Sequence, residues 1–528
     1  MTPFFSTNSC LGIYGLGKHY TIRWFVVAAR LVARLVPRAA GSSSPRARAL
    51  AAPIAAMTMA ALAGCASTNG LAPSATVRDP NSLASKQSLA NAAVTPAAWP
   101  KADWWRSLGD PQLDALIDEA LGSAPTLKVA VARAGKALAL ADVSGAALLP
   151  RVEGSASSVR QRYSENGLLP PPLGGSTQTL NQLQATLTWD LDLWGRNRSA
   201  YEAAIGTAHA ADIDTHAARL ALSTAIAQAY VQLQRAYLQL DVAKTTLAER
   251  ERIYALTRDR NAAGIDSKLE LKQAESALPA TRERILQLSE LIALTRNQLA
   301  ALLGAGPDRA LAITRPTART LEPIALPSAL PAELLGRRPD LMAQRWRIEA
   351  ARKDIDAAKA EFYPNVNLIA FIGLQSLNAG SLFSAASRAP GIGPAVTLPI
   401  FDGGRLRGNL AATDADHDVA VEQYNQAIAD ALRDVVDQLT SRRSVDEQRR
   451  EQRLALSTAR EAYDLALLRY REGLGNYLQV LSAEQPLLVQ ESLDADLRAR
   501  ELAVSIDLIR ALGGGYEPSP ALANVVLN

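Results

Sequence analysis

Between Arg196 and Ala263 the chain has no proline and a single glycine, Gly206. A stretch without breakers reads as one helix. At 1.5 Å per residue it would run roughly 100 Å, while helices of globular domains seldom pass about 25 residues. Along it Leu222, Ile226, Tyr230, Leu233, Tyr237 and Leu240 recur every three or four positions, an apolar stripe for neighbouring helices. Just upstream, Leu183, Ala185, Leu187, Trp189, Leu191 and Leu193 hold one parity against Gln184, Thr188, Asp190 and Asp192. Period two means a strand with one apolar and one polar face, and about eleven such residues match a tilted transmembrane strand. A chain that joins such a strand to such a helix has to build a bundle or tube.

The pattern occurs twice, at a constant offset of 209 (404 less 195). Gly195-Arg196 matches Gly404-Arg405, Tyr254 matches Tyr463, Arg260 matches Arg469 and Gly264 matches Gly473. Leu269 matches Leu478, Ala274-Glu275 matches Ala483-Glu484, and Leu303-Gly304 matches Leu512-Gly513. A shared offset over so many positions reads as a duplicated unit. Each unit has one order: a helix ending at a proline (125–148, then 338–362), two strands, the long helix, a glycine turn and a returning helix. The strands are expected at about 151–163 and 179–193, then 365–375 and 391–401. The long helices are expected over 196–263 and 405–472, and the returning helices over 267–303 and 476–512, carrying Pro279 and Pro486 as kink positions. The second pair of strands repeats the alternation in Val366, Leu368, Ala370, Ile372 and Leu374, and in Ile392, Val396, Leu398 and Ile400.

The net charge of +4 comes from the N-terminus. Residues 1–64 hold seven basic residues (Lys18, Arg23, Arg30, Arg34, Arg38, Arg46 and Arg48) and no acidic one, which leaves 49 basic against 52 acidic residues in the body. A body near neutrality gives no electrostatic case for nucleic acid. "RARALAAPIAAMTMAALAGC" ends at Cys65 and reads as a secretory leader: Arg46 and Arg48, a short apolar run, then small residues. Residues 1–45 do not fit such a leader, so translation is expected to start after Met1. Leu62-Ala63-Gly64-Cys65 resembles a bacterial lipobox, which implies lipidation of Cys65 and membrane anchoring through several acyl chains. Residues 65–98, rich in Ala, Ser, Thr and Pro, read as a flexible tether.

Four strands cannot close a membrane barrel, because the smallest single-chain barrels use eight. An open edge is not viable in lipid, so several copies must share one barrel.

"WWRSLGDPQLDALIDEAL" at Trp104–Leu121, "GRRPDLMAQRWRIEAARKDIDAAKAEFYPNVNL" at Gly336–Leu368 and "LRYREGLGNYLQVLSAEQ" at Leu468–Gln485 resemble the TolC-like outer-membrane efflux factors, nearest the NodT-type lipoprotein branch. The resemblance covers about 99 to 515. It implies an α+β, mainly α, membrane protein: a homotrimer with a 12-stranded outer-membrane β-barrel, four strands per chain, continued by a periplasmic α-helical barrel. The parts are then a leader (1–64), a lipidated tether (65–98), a first repeat (99–304), an equatorial linker (305–335), a second repeat (336–513) and a tail (514–528). The partners implied are a periplasmic adaptor protein and an inner-membrane pump; no cofactor and no catalysis are implied. By resemblance, Gly264, Ser267, Leu269 and Gly473 lie at adaptor-docking helical tips, and Leu478, Gln479 and Ser482 at a periplasmic gate. The family often carries aspartates on the second tip; Gln479 and Ser482 stand there instead. The expected gate therefore works by size and dewetting around Leu478 rather than by charge.

His209, Asp212 and His216 share one helical face but offer too few ligands for a metal site. "TDADHD" around His417 reads as a solvated helix face. "GGRLRG" at 403–408 lacks the spacing and the Lys-Ser/Thr of a phosphate loop, and no nucleophile elbow or His-Glu-x-x-His is present. The function expected is export of small molecules (drugs, toxic organics or metal ions) across the outer membrane. The alternatives are the channel of a type I protein secretion system and a non-conducting, envelope-spanning lipoprotein, for which alternating strands have no use.

Overall fold

Prolines, capping side chains and glycines punctuate the chain. In order, the main described elements are a 3-10 turn (Trp104–Leu108), helices α1 (Pro111–Ser123) and α2 (Pro125–Ala146), strands β1 (Arg151–Arg162) and β2 (Thr177–Asp190), helices α3 (Arg196–Ala262), α4 (Lys268–Leu302) and α5 (Pro339–Ala360), strands β3 (Asn365–Ser376) and β4 (Arg388–Thr397), and helices α6 (Arg405–Arg471) and α7 (Tyr477–Ala511). Pro111, Pro125 and Pro339 each stand in the first turn, where the missing N–H costs nothing. The structure, a computed structural model, describes residues 68, 70–79, 82–83, 99–319 and 336–517, all in the unit Ser67–Asn528. Cys65, the leader, residues 320–335 and residues 518–528 lie outside the described residues.

The two long helices have 67 residues each and the two returning helices 35 each. Helix is continuous through Pro279 and Pro486. Ile226, Tyr230 and Leu233 of α3 are fully buried, among Trp104, Trp105, Leu113, Leu116 and Ile117 of the first layer and Leu299, Leu502 and Ile506 of the returning helices. Each such side chain contributes about 1.5–3 kcal/mol by leaving water. Gly206, the lone glycine of α3, meets α5: a Cβ there would lie 3.2 Å from that of Ala350, so the small pair lets the two helices approach closely. Arg338, in the signature before Pro339, donates to the carbonyl of Ala511 (3.2 Å) and pairs with Asp340 (2.7 Å), fastening the start of α5 to the end of α7. No described helix is long and apolar enough to cross a membrane.

The strands form one antiparallel sheet in the order β1-β2-β3-β4. Its register collects the two parities. Val152 opposes Leu187, Ala156 opposes Leu183, Ala185 opposes Ile372, and Ala370 opposes Ile392, all on one face. Ser155 opposes Gln184 and Gln182 opposes Gln375 on the other. Among the described residues the outer edges of β1 and β4 have no strand partner, and all 12 residues of β1 are exposed.

Four expectations are corrected. The strand read over 179–193 stops at Asp190, because Asp192 (φ 45°) turns the chain and its carboxylate accepts from the N–H groups of Asn197 and Arg198 (2.9 and 2.8 Å), capping α3. Leu191 and Leu193 keep the parity but not the ladder. The strand read over 391–401 is found over Arg388–Thr397, with Ile400 and Phe401 exposed beyond it, and Asp402 caps α6 through Leu406 (2.9 Å). Residues 70–79, inside the stretch read as a flexible tether, run along α6. There the Asp418 carboxylate accepts from the Ser74 and Ala75 N–H groups (2.9 Å each) and the Ser74 hydroxyl (2.6 Å). Asn425 accepts from the Arg78 N–H (2.8 Å) and donates to the Thr76 carbonyl (3.1 Å), while Leu71 packs toward Leu406 and Leu410. The face around His417, read as solvated, is therefore covered: Asp414 is 6 % exposed.

The hydrogen bonds from Ser74 and Ala75 hold the Asp418 carboxyl down at about 2. A depressed carboxylate stabilises the segment above its ordinary pKa and loses that contribution as pH falls through the lowered value. Exchange protection of the Ser74 and Ala75 amides is therefore expected to persist at pH 4 and to vanish below about 2. Asp418→Ala should raise tryptic cleavage after Arg78 severalfold with helicity unchanged; unaltered cleavage would show that this contact does not hold the segment.

Candidate functional site at the helical tips

Each long helix must reverse at its far end, and both use the same device. Gly264 (φ 72°) and Gly473 (φ 73°) adopt the left-handed conformation that glycine enters without a Cβ penalty. The Ile265 N–H reaches the Arg260 carbonyl (2.9 Å) and the Gly264 N–H reaches Asn261 (3.0 Å); Leu474 to Arg469 (2.8 Å) and Gly473 to Tyr470 (3.2 Å) repeat this Schellman pair. The returning helices are then capped. Ser267 and Glu270 form a capping box, with the Ser267 N–H on the Glu270 carboxylate at 2.7 Å. Asn476 accepts from the Gln479 N–H at 3.1 Å.

A buried ion pair ties the first tip to the second hairpin. Arg260 holds the Asp266 carboxylate through Nε (3.0 Å) and Nη2 (3.3 Å), and its Nη1 donates to the Tyr470 carbonyl (3.1 Å). Its guanidinium lies 4.6 Å from the centre of the Tyr470 ring. The Tyr470 hydroxyl donates to Asp266 Oδ2 (2.5 Å) and lies 2.8 Å from the Thr257 hydroxyl. The hydrogen bond to Asp266 holds the Arg260 guanidinium above its ordinary pKa, and burial, with Asp266 beside it, pushes the Tyr470 hydroxyl up to about 12. Farther along, Arg250 of α3 grips Glu484 of α7 at two points (2.8 and 2.9 Å) and donates to Thr281 of α4 (2.8 Å). Ile253, Ala274, Tyr463, Tyr477, Val480 and Leu487 pack around these groups. The two hairpins are thus clamped at charged points inside an apolar cluster.

The residues expected at the gate sit on the free side of α7. Leu478 is 56 % exposed, and Gln479 and Ser482 are exposed as well, whereas Tyr477, Val480, Glu484 and Leu487 point into the cluster. Leu478 and Ser482 are one helical turn apart and so share a face. Gly264, Ser267 and Gly473 lie exposed at the turns, with Leu269 exposed on α4. His209 and His216 each lie beside an aromatic ring, with centroids 4.7 Å from Trp346 and 5.2 Å from Tyr516.

Sequence reasoning missed the clamp. The repeat itself held a signal, in where it fails. Arg260 has its counterpart in Arg469, but Gly475 stands where Asp266 would be, so only the first tip carries the buried pair. Likewise Glu275 makes an exposed pair with Lys272 (2.7 Å), while its counterpart Glu484 is buried against Arg250.

Arg260→Ala would leave Asp266 buried without its cation, at a cost of about 3–5 kcal/mol. Tyr470→Phe removes hydroxyl hydrogen bonds and should cost about 1 kcal/mol. Hydrogen exchange should accelerate at both tips in the first variant and only slightly in the second. Equal rates in wild type and Arg260→Ala would refute the clamp.

Residues 116–305 and 330–514 match the family model of outer membrane efflux proteins. Among curated relatives, the multidrug resistance outer membrane protein MdtP of Escherichia coli K12 is 36 % identical over 434 residues, covering 81 % of this chain and 89 % of that protein. The fusaric acid resistance protein FusA of Burkholderia cepacia is 41 % identical over 357 residues, 67 % of each. Among solved structures, the outer membrane protein VceC of Vibrio cholerae superposes with a TM-score of 0.74 at 37 % identity, covering 79 % of this chain and all of that one.

Proposed function

The chain belongs to the outer membrane efflux protein family and is an efflux channel of the outer membrane, and from that premise we propose how it is assembled and gated. Three copies share one barrel of twelve strands, β4 of each pairing with β1 of the next. The observation that carries this reading is the pair of unpaired sheet edges, which hydrocarbon does not tolerate. The apolar sheet face then meets lipid, and the face with Gln182, Gln184 and Gln375 lines the pore. The long hairpins, products of one duplication, continue the wall into the periplasm. Cys65 carries the lipid anchor.

The tips close the channel. Three Leu478 side chains form the constriction, with Ser482 one turn farther on and Gln479 beside them. All three types are neutral, so the gate excludes by size and dewetting and selects weakly for charge. Gly264, Ser267, Leu269 and Gly473 present the docking surface for a periplasmic adaptor, itself joined to an inner-membrane pump. The cargo is small molecules. MdtP is named for multidrug resistance and FusA for fusaric acid resistance, which supports drugs and toxic organic compounds over secreted proteins.

Planar-bilayer recording tests the channel and its gate together, with the mass of the conducting species measured in the same detergent. Wild type should be a trimer of low conductance, Leu478→Ala should conduct several times more, and Ser482→Asp should add block by trivalent cations. A conducting monomer, or Leu478→Ala with wild-type conductance, would overturn the assignment. Cys65→Ser should abolish metabolic labelling with fatty acid; undiminished labelling would remove the anchor from Cys65.

A further inference from the structure

Charge on the sheet and its loops is confined to one end. Between Gly154 and Trp189 the charged residues are Arg160, Arg162 and Glu165, and between Val366 and Phe401 the one charged residue is Arg388. All three arginines are exposed. Arg162 makes an exposed pair with Glu165 (3.1 Å), a contact worth little in water. Among the described residues the side chains of Arg160 and Arg388 have no hydrogen-bond or ion-pair partner.

Parity fixes the face from which these cations project. Side chains alternate along a strand, so Arg160 and Arg162 share a face with Val152 and Ala156, and Arg388 shares one with Ile392 and Val396. The register joins both into the single apolar face: Ala156 opposes Leu183, Leu183 opposes Leu374, and Leu374 opposes Arg388. On that face apolar side chains give way to Ser158, Asn181 and Ser376, and β1 ends on the two arginines. The cations thus point away from the face of Gln182 and Gln184, at the end of the sheet opposite the start of the long helices.

The register also fixes where they meet. The rung through Arg388 crosses β1 at Ala156, and β1 runs six residues farther, to Arg162. At the other end the rung through Arg151 crosses β4 at Gly393, and β4 runs four residues farther, to Thr397. At both ends β4 is displaced the same way against β1, which is the stagger of strands tilted in a barrel. Level rims then set Arg388 of one copy at the height of Arg160 and Arg162 of the next, across a seam where adjacent strands lie about 4.8 Å apart.

We propose that each seam between copies binds the phosphate groups of an outer-leaflet glycolipid, with Arg160 and Arg162 of one copy and Arg388 of the other as its cations. Three guanidinium groups and one carboxylate meet there, an excess of positive charge that repels itself unless an anion lies between. Guanidinium forks match phosphate oxygens at two points. The acyl chains of the lipid lie along the apolar face directly below, a contact that a soluble anion does not make. The inference rests on the trimeric outer-membrane reading, because a lone chain holds Arg160 and Arg388 on opposite edge strands of the sheet.

The test uses the full-length protein in detergent with a chelator present, and lipid A in its bisphosphorylated and dephosphorylated forms. Native mass spectrometry should show trimers that retain the bisphosphorylated lipid, one to each seam, and roughly tenfold less of the dephosphorylated lipid. Arg160→Gln/Arg388→Gln should stay trimeric, conduct as wild type and retain roughly tenfold less of the bisphosphorylated lipid. Arg160→Cys/Arg388→Cys should give covalent trimers with a short bismaleimide, and neither single variant should. Equal retention by wild type and the double glutamine variant, equal retention of the dephosphorylated lipid, or displacement by inorganic phosphate as efficient as by lipid A overturns the proposal; a trimer that still conducts leaves the channel reading standing. Trimers without the double-cysteine cross-link overturn the seam, and a double glutamine variant that no longer assembles marks the arginines as structural and overturns the site too. A wild type that is monomeric overturns both readings.

Discussion

A strand in hydrocarbon has to pair every N–H and C=O, and this requirement organises the whole molecule. Among the described residues four strands lie in sequential order and both outer edges lack a strand partner. The sheet is therefore an incomplete wall, and its two faces already differ, apolar through Leu183, Leu187 and Ile372, polar through Gln182, Gln184 and Gln375. The proposed trimer follows from closing that wall. The long helices inherit its geometry: α3 and α6 start at capping carboxylates, Asp192 and Asp402, that turn strand into helix within a few residues.

The two halves have helices of matching length and different chemistry. The first tip buries an arginine–aspartate pair, and the second puts glycine at the corresponding place. Glu275 is exposed and Glu484 is buried against Arg250. The second tip alone has Tyr470 and Tyr477 at the heart of the apolar cluster. Residues common to the two hairpins make the same turn, and the differences decide where buried charges clamp them. The buried pairs are weak as sources of net stability, because desolvation offsets much of their attraction. Their consequence is positional, since each charged group tolerates few alternative arrangements inside an apolar cluster.

Most of the element order was legible because its signals are local. Missing prolines, period-two parity and glycine turns act through the backbone of the residues that carry them. The failures were equally physical. Leu191 and Leu193 keep the alternation of β2, yet the Asp192 side chain captures the next N–H groups and ends the strand. Composition made residues 70–79 look unstructured, while their order comes from carboxylate and amide groups on α6 more than 340 positions away. Periodicity carries no trace of such a contact.

The sequence by itself determined the lengths of the helices, the order of the elements, the two faces of the strands and the positions of the turns, since each depends on neighbours within a few residues. Only the tertiary structure decided which charges are buried together and which side of α7 is free. Arg250 and Glu484 stand 234 residues apart, and their pairing depends on how four helices lie side by side. Burial and partnership are properties of that packing, because whether a charge is solvated or paired depends on what surrounds it in space.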